Sequence, residues 1–308
     1  VNKAVELDQS RELSSKMSVT RGDKVFYIIN NIILALVIVV VALPILNVIA
    51  NSLSSGDAVA SGKVTFWPVE FSLEGYTAVF SDSFILIGYG NTIFYTVAGT
   101  VINLFLTVIA AWPLARKDLP GRSIIMMFFA FTMLFNGGMI PNFLLVRDLG
   151  IYNTRWAMLL PGAISVYNMI ICRTFFATSI PGELLEAAQL DGCSEMRFFT
   201  SMVLPLSKAV LAVITLYYAV AHWNAFFNAF LYLSNKALYP LQLILRDILL
   251  SNQVDPSAII DADSAVNLNL VETLKYSLIM VACVPIWCIY PFVQKYFVQG
   301  VMIGAIKG

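Results

Sequence analysis

Pro181-Gly-Glu183-Leu-Leu-Glu186-Ala187-Ala188-Gln-Leu-Asp191-Gly192-Cys-Ser194 is a polar stretch held between two apolar runs, and it leads on to Leu204-Pro205. Pro181 suits the first position of a helix, and Gly192 suits the residue just past its end. Between them Glu183, Glu186, Ala187 and Leu190 are spaced i, i+3, i+4, i+7, which places them on one helical face. That face offers carboxylates flanked by small residues, so another backbone could approach it closely. Ser194 can cap a second short helix that stops at Leu204-Pro205. Two short helices at a sharp angle form either a docking knob or an ordinary amphipathic loop. The flanking runs decide between the two.

Of the 308 residues, 59% are hydrophobic and 12% charged, against about 25% charged in soluble domains. A mean hydropathy of +0.79 places the chain among membrane proteins. Six charge-free runs supply the map. They measure 32 residues from Lys24 to Asp57, 33 from Asp82 to Arg116, 24 from Arg122 to Arg147, 17 from Arg155 to Arg173, 27 from Lys208 to Lys236 and 19 from Lys275 to Lys295. A transmembrane helix takes about 20 apolar residues, so the runs predict an all-α polytopic membrane protein with six transmembrane helices. These lie near 26–50, 87–112, 124–146, 156–175, 206–230 and 274–294. The fourth is short, and Arg173 can snorkel from its end. No long run alternates with period two, so a β-barrel is not supported.

Basic residues set the orientation. With the amino terminus inside, the inner segments hold thirteen Lys and Arg and the outer segments six. Both termini are therefore expected in the cytoplasm, and so is the opening stretch, between the fourth and fifth helices. Residues 1–24 read as a cytoplasmic tail rather than a cleavable leader, 25–295 as the transmembrane domain and 296–308 as a second cytoplasmic tail. The polar loop runs over 179–205. Outer loops span 53–85, with an amphipathic element near Trp67-Pro68 and Tyr76, and 231–273, with a helix near 241–250 and an acidic stretch at Asp255, Asp261 and Asp263.

The spans carry no Asp, Glu, Lys or Arg at mid-depth, which argues against ion-coupled transport. Their polarity comes from uncharged groups: Asn91 and Tyr95 in the second, Asn136 in the third, Asn168 in the fourth, and Tyr217, Tyr218, Trp223, Asn224 and Asn228 in the fifth. Tyr217, Asn224 and Asn228, at offsets of seven and four, fall near one face, with His222 off it. Amides and aromatic faces suit sugar hydroxyls and rings, so these nine are candidates for lining a substrate cavity. Helix–helix hydrogen bonding is the competing role for each. There is no P-loop, H-E-x-x-H or G-x-S-x-G, and the four cysteines and lone histidine show no metal spacing. Neither a metal nor a cofactor is expected in this chain, and zero net charge argues against nucleic acid.

Glu186-Ala187-Ala188, three residues, Gly192, nine residues and Met202-Val203-Leu204-Pro205 resemble the E-A-A-x3-G-x9-I-x-L-P loop of permease subunits of binding-protein-dependent ABC importers. Met202 stands where isoleucine is usual. The resemblance covers nearly the whole chain from residue 25 and is closest to the carbohydrate-uptake, maltose-permease-like branch. Asn136-Gly-Gly-Met-Ile-Pro141, Leu159-Leu-Pro-Gly-Ala-Ile-Ser165, Ala221-His222-Trp223-Asn224 and Leu238-Tyr-Pro-Leu-Gln-Leu243 are similar to the subgroup associated with uronate-containing oligosaccharides such as alginate.

The resemblance implies a bacterial inner-membrane subunit paired with a second homologous permease. It also implies two cytoplasmic ATPase subunits carrying ATP and magnesium, and an extracytoplasmic solute-binding protein. Residues 181–191 would be the coupling helix seated in an ATPase cleft. Glu183, Glu186 and Asp191 would supply its charge, Ala187 and Ala188 close approach, and Gly192 the bend. Alternatives are a stand-alone channel or secondary carrier, a membrane enzyme, and an ABC permease for a non-sugar solute. An anionic substrate would want positive charge along its path, for which Arg173 is the candidate.

Overall fold

A computed structural model describes residues 20–251, 272–291 and 294. The expected acidic stretch at 255–263, the tail 296–308 and residues 1–19 lie outside the described residues.

The first helix, α1 (Arg21–Ser52), starts at a capping box: Thr20 Oγ1 accepts from Asp23 N at 3.2 Å, and Asp23 Oδ2 accepts from Thr20 N at 2.8 Å. Arg21, Asp23 and Lys24 therefore belong to the helix, not to the tail in which the sequence placed them. The side chains of α1 are exposed on every face through Val41, as expected of a helix that meets lipid or another subunit. Two short helices follow in the first outer loop, α2 (Gly56–Ala60) and α3 (Glu74–Ser81). Tyr76 donates to Ser52 Oγ at 2.9 Å and ties that loop to the end of α1.

Everything else is arranged around α4 (Ser83–Ala115). Asp82 caps it by accepting from Phe84 N at 2.7 Å. Its buried positions recur every three or four residues, from Ile85 through Asn91, Tyr95, Gly99, Asn103, Thr107 and Ala111 to Leu114, so one stripe faces the bundle. At Gly99 a Cβ would lie 2.4 Å from the His222 ring. Glycine there lets the imidazole rest against the helix, where His222 Nε2 meets Asn103 Nδ2 at 3.1 Å.

The third, fourth and fifth apolar runs are not single straight helices, which corrects the expectation for each. The third splits into α5 (Arg122–Leu134) and α6 (Met139–Asp148), bent by 112°. At the corner Asn136 Oδ1 accepts from Gly138 N at 2.9 Å, and Gly138 takes φ +93°. The fourth splits into α7 (Trp156–Leu159) and α8 (Val166–Ser179), with Pro161 and Gly162, at φ +73°, in the break. The polar loop contributes α9 (Gly182–Leu190), α10 (Glu195–Phe198), a π-helical turn (Phe199–Val203) and α11 (Leu204–Leu206). The second loop helix thus continues through Leu204-Pro205, where the sequence predicted a stop, and turns by 80° at Ser207. Pro205 falls just after the π-helical turn, where the regular i to i−4 ladder is already interrupted.

The fifth run is α12 (Lys208–Trp223), a break over 224–226, and α13 (Phe227–Tyr232). The interruption removes the continuous face on which Tyr217, Asn224 and Asn228 were aligned. α14 (Leu241–Ser251) forms where a helix was expected, and α15 (Glu272–Pro291) is the last described. Among the described residues α1, α4 and α15 are long and apolar enough to cross a membrane, and counting each bent pair as one crossing gives five. The protein is an all-helical membrane protein whose largest core joins α4, α8 and α12 to the polar loop.

Candidate functional site

The polar loop is an anchored hairpin. Pro181 precedes α9 with φ −62° and ψ 141°, the N-cap rather than the first helical position. Leu184 and Leu185 pack partly against the core, while Glu183, Glu186, Ala187 and Leu190 form the outer face as the spacing predicted, with Leu190 90% exposed. Ala188 turns the other way. It is 5% exposed and belongs to the core with Phe198 and Val203. Only one of the two alanines is exposed: Ala187 faces outward, and Ala188 packs into the chain's own core, where a small side chain is required. Asp191 is exposed at the C-cap, and Gly192, at φ +73°, makes the bend. Cys193 N returns to Ala188 O at 2.9 Å, and Ser194 Oγ caps α10 by accepting from Arg197 N at 3.4 Å.

Two contacts fasten the hairpin to the end of α4, and a third fastens the neighbouring α8 there. Trp112 stands against Phe176, Phe198 and Phe199, with ring centroids 5.9, 6.0 and 6.2 Å apart. Arg173 Nε donates to Leu114 O at 3.1 Å; the cation considered for an anionic path is engaged at the helix end. Arg116 grips the Asp118 carboxylate through Nε and Nη2 and reaches Glu195 Oε1 through Nη1 at 2.7 Å. Hydrogen bonding to Asp118, then to Glu195, holds the guanidinium above its usual pKa, and the same bond to Arg116 holds Asp118 below the usual 3.8. Between the 115–118 segment and α9 lies a cleft of about 680 Å³ whose walls carry Arg116, Lys117 and Asp118 on one side and Glu183, Glu186 and Gln189 on the other.

The nine cavity candidates separate into two groups. Asn91 Nδ2 donates to Ala237 O and Tyr239 O at 2.8 and 3.1 Å, and Tyr95 OH donates to Leu238 O at 2.9 Å. Trp223 Nε1 donates to Ala282 O at 3.0 Å. Tyr218 OH lies 2.6 Å from Thr107 Oγ1 and accepts from Ser165 N at 3.0 Å. These four are buried, as is Asn168, and they pin loops and helix breaks to the bundle. For Asn91, Tyr95, Tyr218 and Trp223 these bonds are the competing role, hydrogen bonding within the bundle, that the sequence allowed for each. Asn136, Tyr217 and Asn224 are exposed and Asn228 is half-buried. The structure does not bring all nine to one surface.

The family described as "Binding-protein-dependent transport system inner membrane component" matches residues 85–302. The chain belongs to that family. Its members are the permeases of ABC importers, and this one falls in the carbohydrate-uptake branch. Protein LplC of Bacillus subtilis (strain 168) is 40% identical over 290 residues, covering 94% of this chain and 97% of LplC. The polygalacturonan/rhamnogalacturonan transport system permease protein YtcP of the same organism is 40% identical over 269 residues, covering 86% and 92%. A crystal structure of a bacterial ABC transporter involved in the import of the acidic polysaccharide alginate contains a chain 35% identical to this one. The two superpose with a TM-score of 0.81, covering 90% of this chain and 98% of that one.

Family membership makes this an inner-membrane permease component of a bacterial transporter, working with a binding protein and an ATPase; hydrolysis belongs to the ATPase. Sequence reasoning about this permease missed Trp112, Arg116 and Glu195. Arg116 and Lys117 enter it only as orientation charges, and no motif or spacing marks Trp112 or Glu195.

Proposed function

We propose that this permease is one of two that together enclose a path for an acidic, uronate-containing oligo- or polysaccharide, and that the 179–205 hairpin is its coupling element to the ATPase. The observation that carries the coupling reading is the outer face of α9. Two carboxylates and Ala187 stand free of the chain's own core, on the first helix of a hairpin whose second helix is joined to the end of α4 through Glu195. A partner basic group can meet Glu186, and Ala187 lets that partner's backbone come close. Six membrane crossings with both termini in the cytoplasm put this face on the ATPase side. ATP and magnesium on two ATPase subunits would drive alternating access. Movement of the docked hairpin carries the bundle between inward and outward states, and an external binding protein delivers the sugar. The nucleotide supplies the differential affinity for the two states; this chain supplies the lever.

The substrate class is supported by the names of the relatives, one for polygalacturonan and rhamnogalacturonan and one for alginate. Each of these polymers carries uronate carboxylates. Asn136, Tyr217, Asn224 and Asn228 remain the candidates for contact with it, since these are reachable. The test is Glu186→Lys in the reconstituted transporter. Substrate-stimulated ATPase activity is expected to disappear while membrane insertion is retained, and normal transport would remove the docking assignment. Uptake of oligogalacturonate against oligoalginate in the same vesicles ranks the substrates, and preference for a neutral maltooligosaccharide would overturn the acidic class.

A further inference from the structure

The guanidinium of Arg116 sits where two moving parts would have to be joined. It is the residue directly after α4, and α4 is the helix on which α8, α12 and α14 all pack. Glu195 opens the second half of the coupling hairpin. Their ion pair joins segments far apart in the chain, whereas Arg147–Asp148, Arg246–Asp247 and Glu272–Lys275 are local. Every edge of the Arg116 fork is used: Nε and Nη2 on Asp118, Nη1 on Glu195. Its backbone is held as well, because Arg122 Nη1 donates to Arg116 O at 3.1 Å. Alongside, α9 is separated from the 115–118 segment by the cleft, so the polar connection between hairpin and α4 is made at Glu195 rather than along the docking helix itself.

We propose that the Arg116–Glu195 pair, with Asp118 orienting the guanidinium, is the joint that makes the coupling hairpin and α4 move as one body. This rests on the coupling reading above. Stability is a poor reason for such a pair. The Glu195 side chain is 63% exposed, and pairs with an exposed partner add little to folding. Geometry is the better reason. A planar guanidinium held at both edges fixes direction as well as distance, which a lysine ammonium does not. The Arg116 side chain is itself only 14% exposed, so the guanidinium is held in place by its surroundings while its two carboxylate partners face solvent. Trp112, one turn back on α4, supplies the apolar half of the same joint by stacking near Phe198 and Phe199. Arg116, Asp118 and Glu195 act through one another on the hairpin, and in this proposal they are positioning residues.

The experiment uses the full reconstituted transporter with its binding protein, comparing Glu195→Gln, Glu195→Asp, Arg116→Lys and Glu186→Lys. The readout is the ratio of substrate-stimulated to basal ATPase rate per assembled complex, beside the amount of complex assembled. Glu195→Gln keeps size and exposure and removes the charge. Its ratio is expected to fall about tenfold with assembly at the wild-type amount, a change within the range of measured couplings. Arg116→Lys should fall similarly, because it keeps the charge and loses the fork, and Glu195→Asp should recover part of the ratio. A wild-type ratio in Glu195→Gln, or less assembled complex with a normal ratio, would overturn the joint. Glu186→Lys separates the two readings. If it uncouples while Glu195→Gln does not, the joint fails and the docking face stands; if it couples normally, the docking reading itself has failed.

Discussion

Adjacent alanines in α9 do different work, and the difference is measurable. Ala187 is exposed on the face with Glu183 and Glu186, while Ala188 is packed with Phe198 and Val203. Ala188→Leu forces three extra carbons into a filled core, which costs about 1–3 kcal/mol. It should lower the thermal unfolding midpoint of the purified permease. Ala187→Leu meets nothing in its own chain, so the midpoint should hold. Co-purification with the ATPase should fail, because the added side chain stands where a partner backbone must approach. If the two variants behaved alike, the inward and outward assignment of the pair would be wrong. The spacing of Glu183, Glu186, Ala187 and Leu190 made the outer face legible in the sequence, since an ideal helix fixes relative direction. The burial of Ala188 was not legible, because it depends on Phe198 folding back from the other side of a bend at Gly192.

The breaks in the third, fourth and fifth runs show the same limit for elements. Charge-free length located each run, but hydropathy counts residues and is blind to direction, so α5 and α6 at 112° read as one span. Gly137-Gly138 and Pro161-Gly162 stood at the breaks in plain view. Glycine and proline are tolerated inside transmembrane helices often enough that they do not force a break. What decides is where the freed backbone groups go. In the fourth run Ser165 N, at the start of α8, finds the Tyr218 hydroxyl at 3.0 Å, and that hydroxyl also meets Thr107. One phenol thus ties a helix break to α4 and α12. Tyr218→Phe removes both bonds and leaves a fully buried Thr107 hydroxyl and a backbone N–H unsatisfied, at a cost of about 1–3 kcal/mol. The permease should still insert and should unfold at a lower temperature in detergent; an unchanged midpoint would show that the break is not held there. The same bonds show the competing role that the sequence allowed for these tyrosines and asparagines, hydrogen bonding within the bundle. Residue type announces hydrogen-bonding capacity, and only the fold says which carbonyl has already claimed it.

At the scale of the whole molecule, α4 fixes which features lie on opposite sides. It is 33 residues long, about 50 Å at 1.5 Å per residue, against a hydrocarbon core of about 30 Å. The first outer loop packs at its amino-terminal end, where Val79 and Ile85 share a core. The hairpin packs at its carboxy-terminal end through Trp112 and Arg116. The two are therefore on different sides of the membrane in either orientation. Charge is the argument for the proposed orientation: with six crossings, thirteen cations against six favour the hairpin on the cytoplasmic side. Trp67 and Gln189 are both exposed and report the two ends. In a background with Cys172, Cys193, Cys283 and Cys288 replaced, Trp67→Cys should react with a membrane-impermeant maleimide on intact cells. Gln189→Cys should react only after the membrane is opened. Labelling of both from outside would contradict the length of α4 as a spanning helix. Labelling in the reverse order would put the carboxylate face of α9 out of reach of any cytoplasmic ATPase, and the coupling assignment would fall with it.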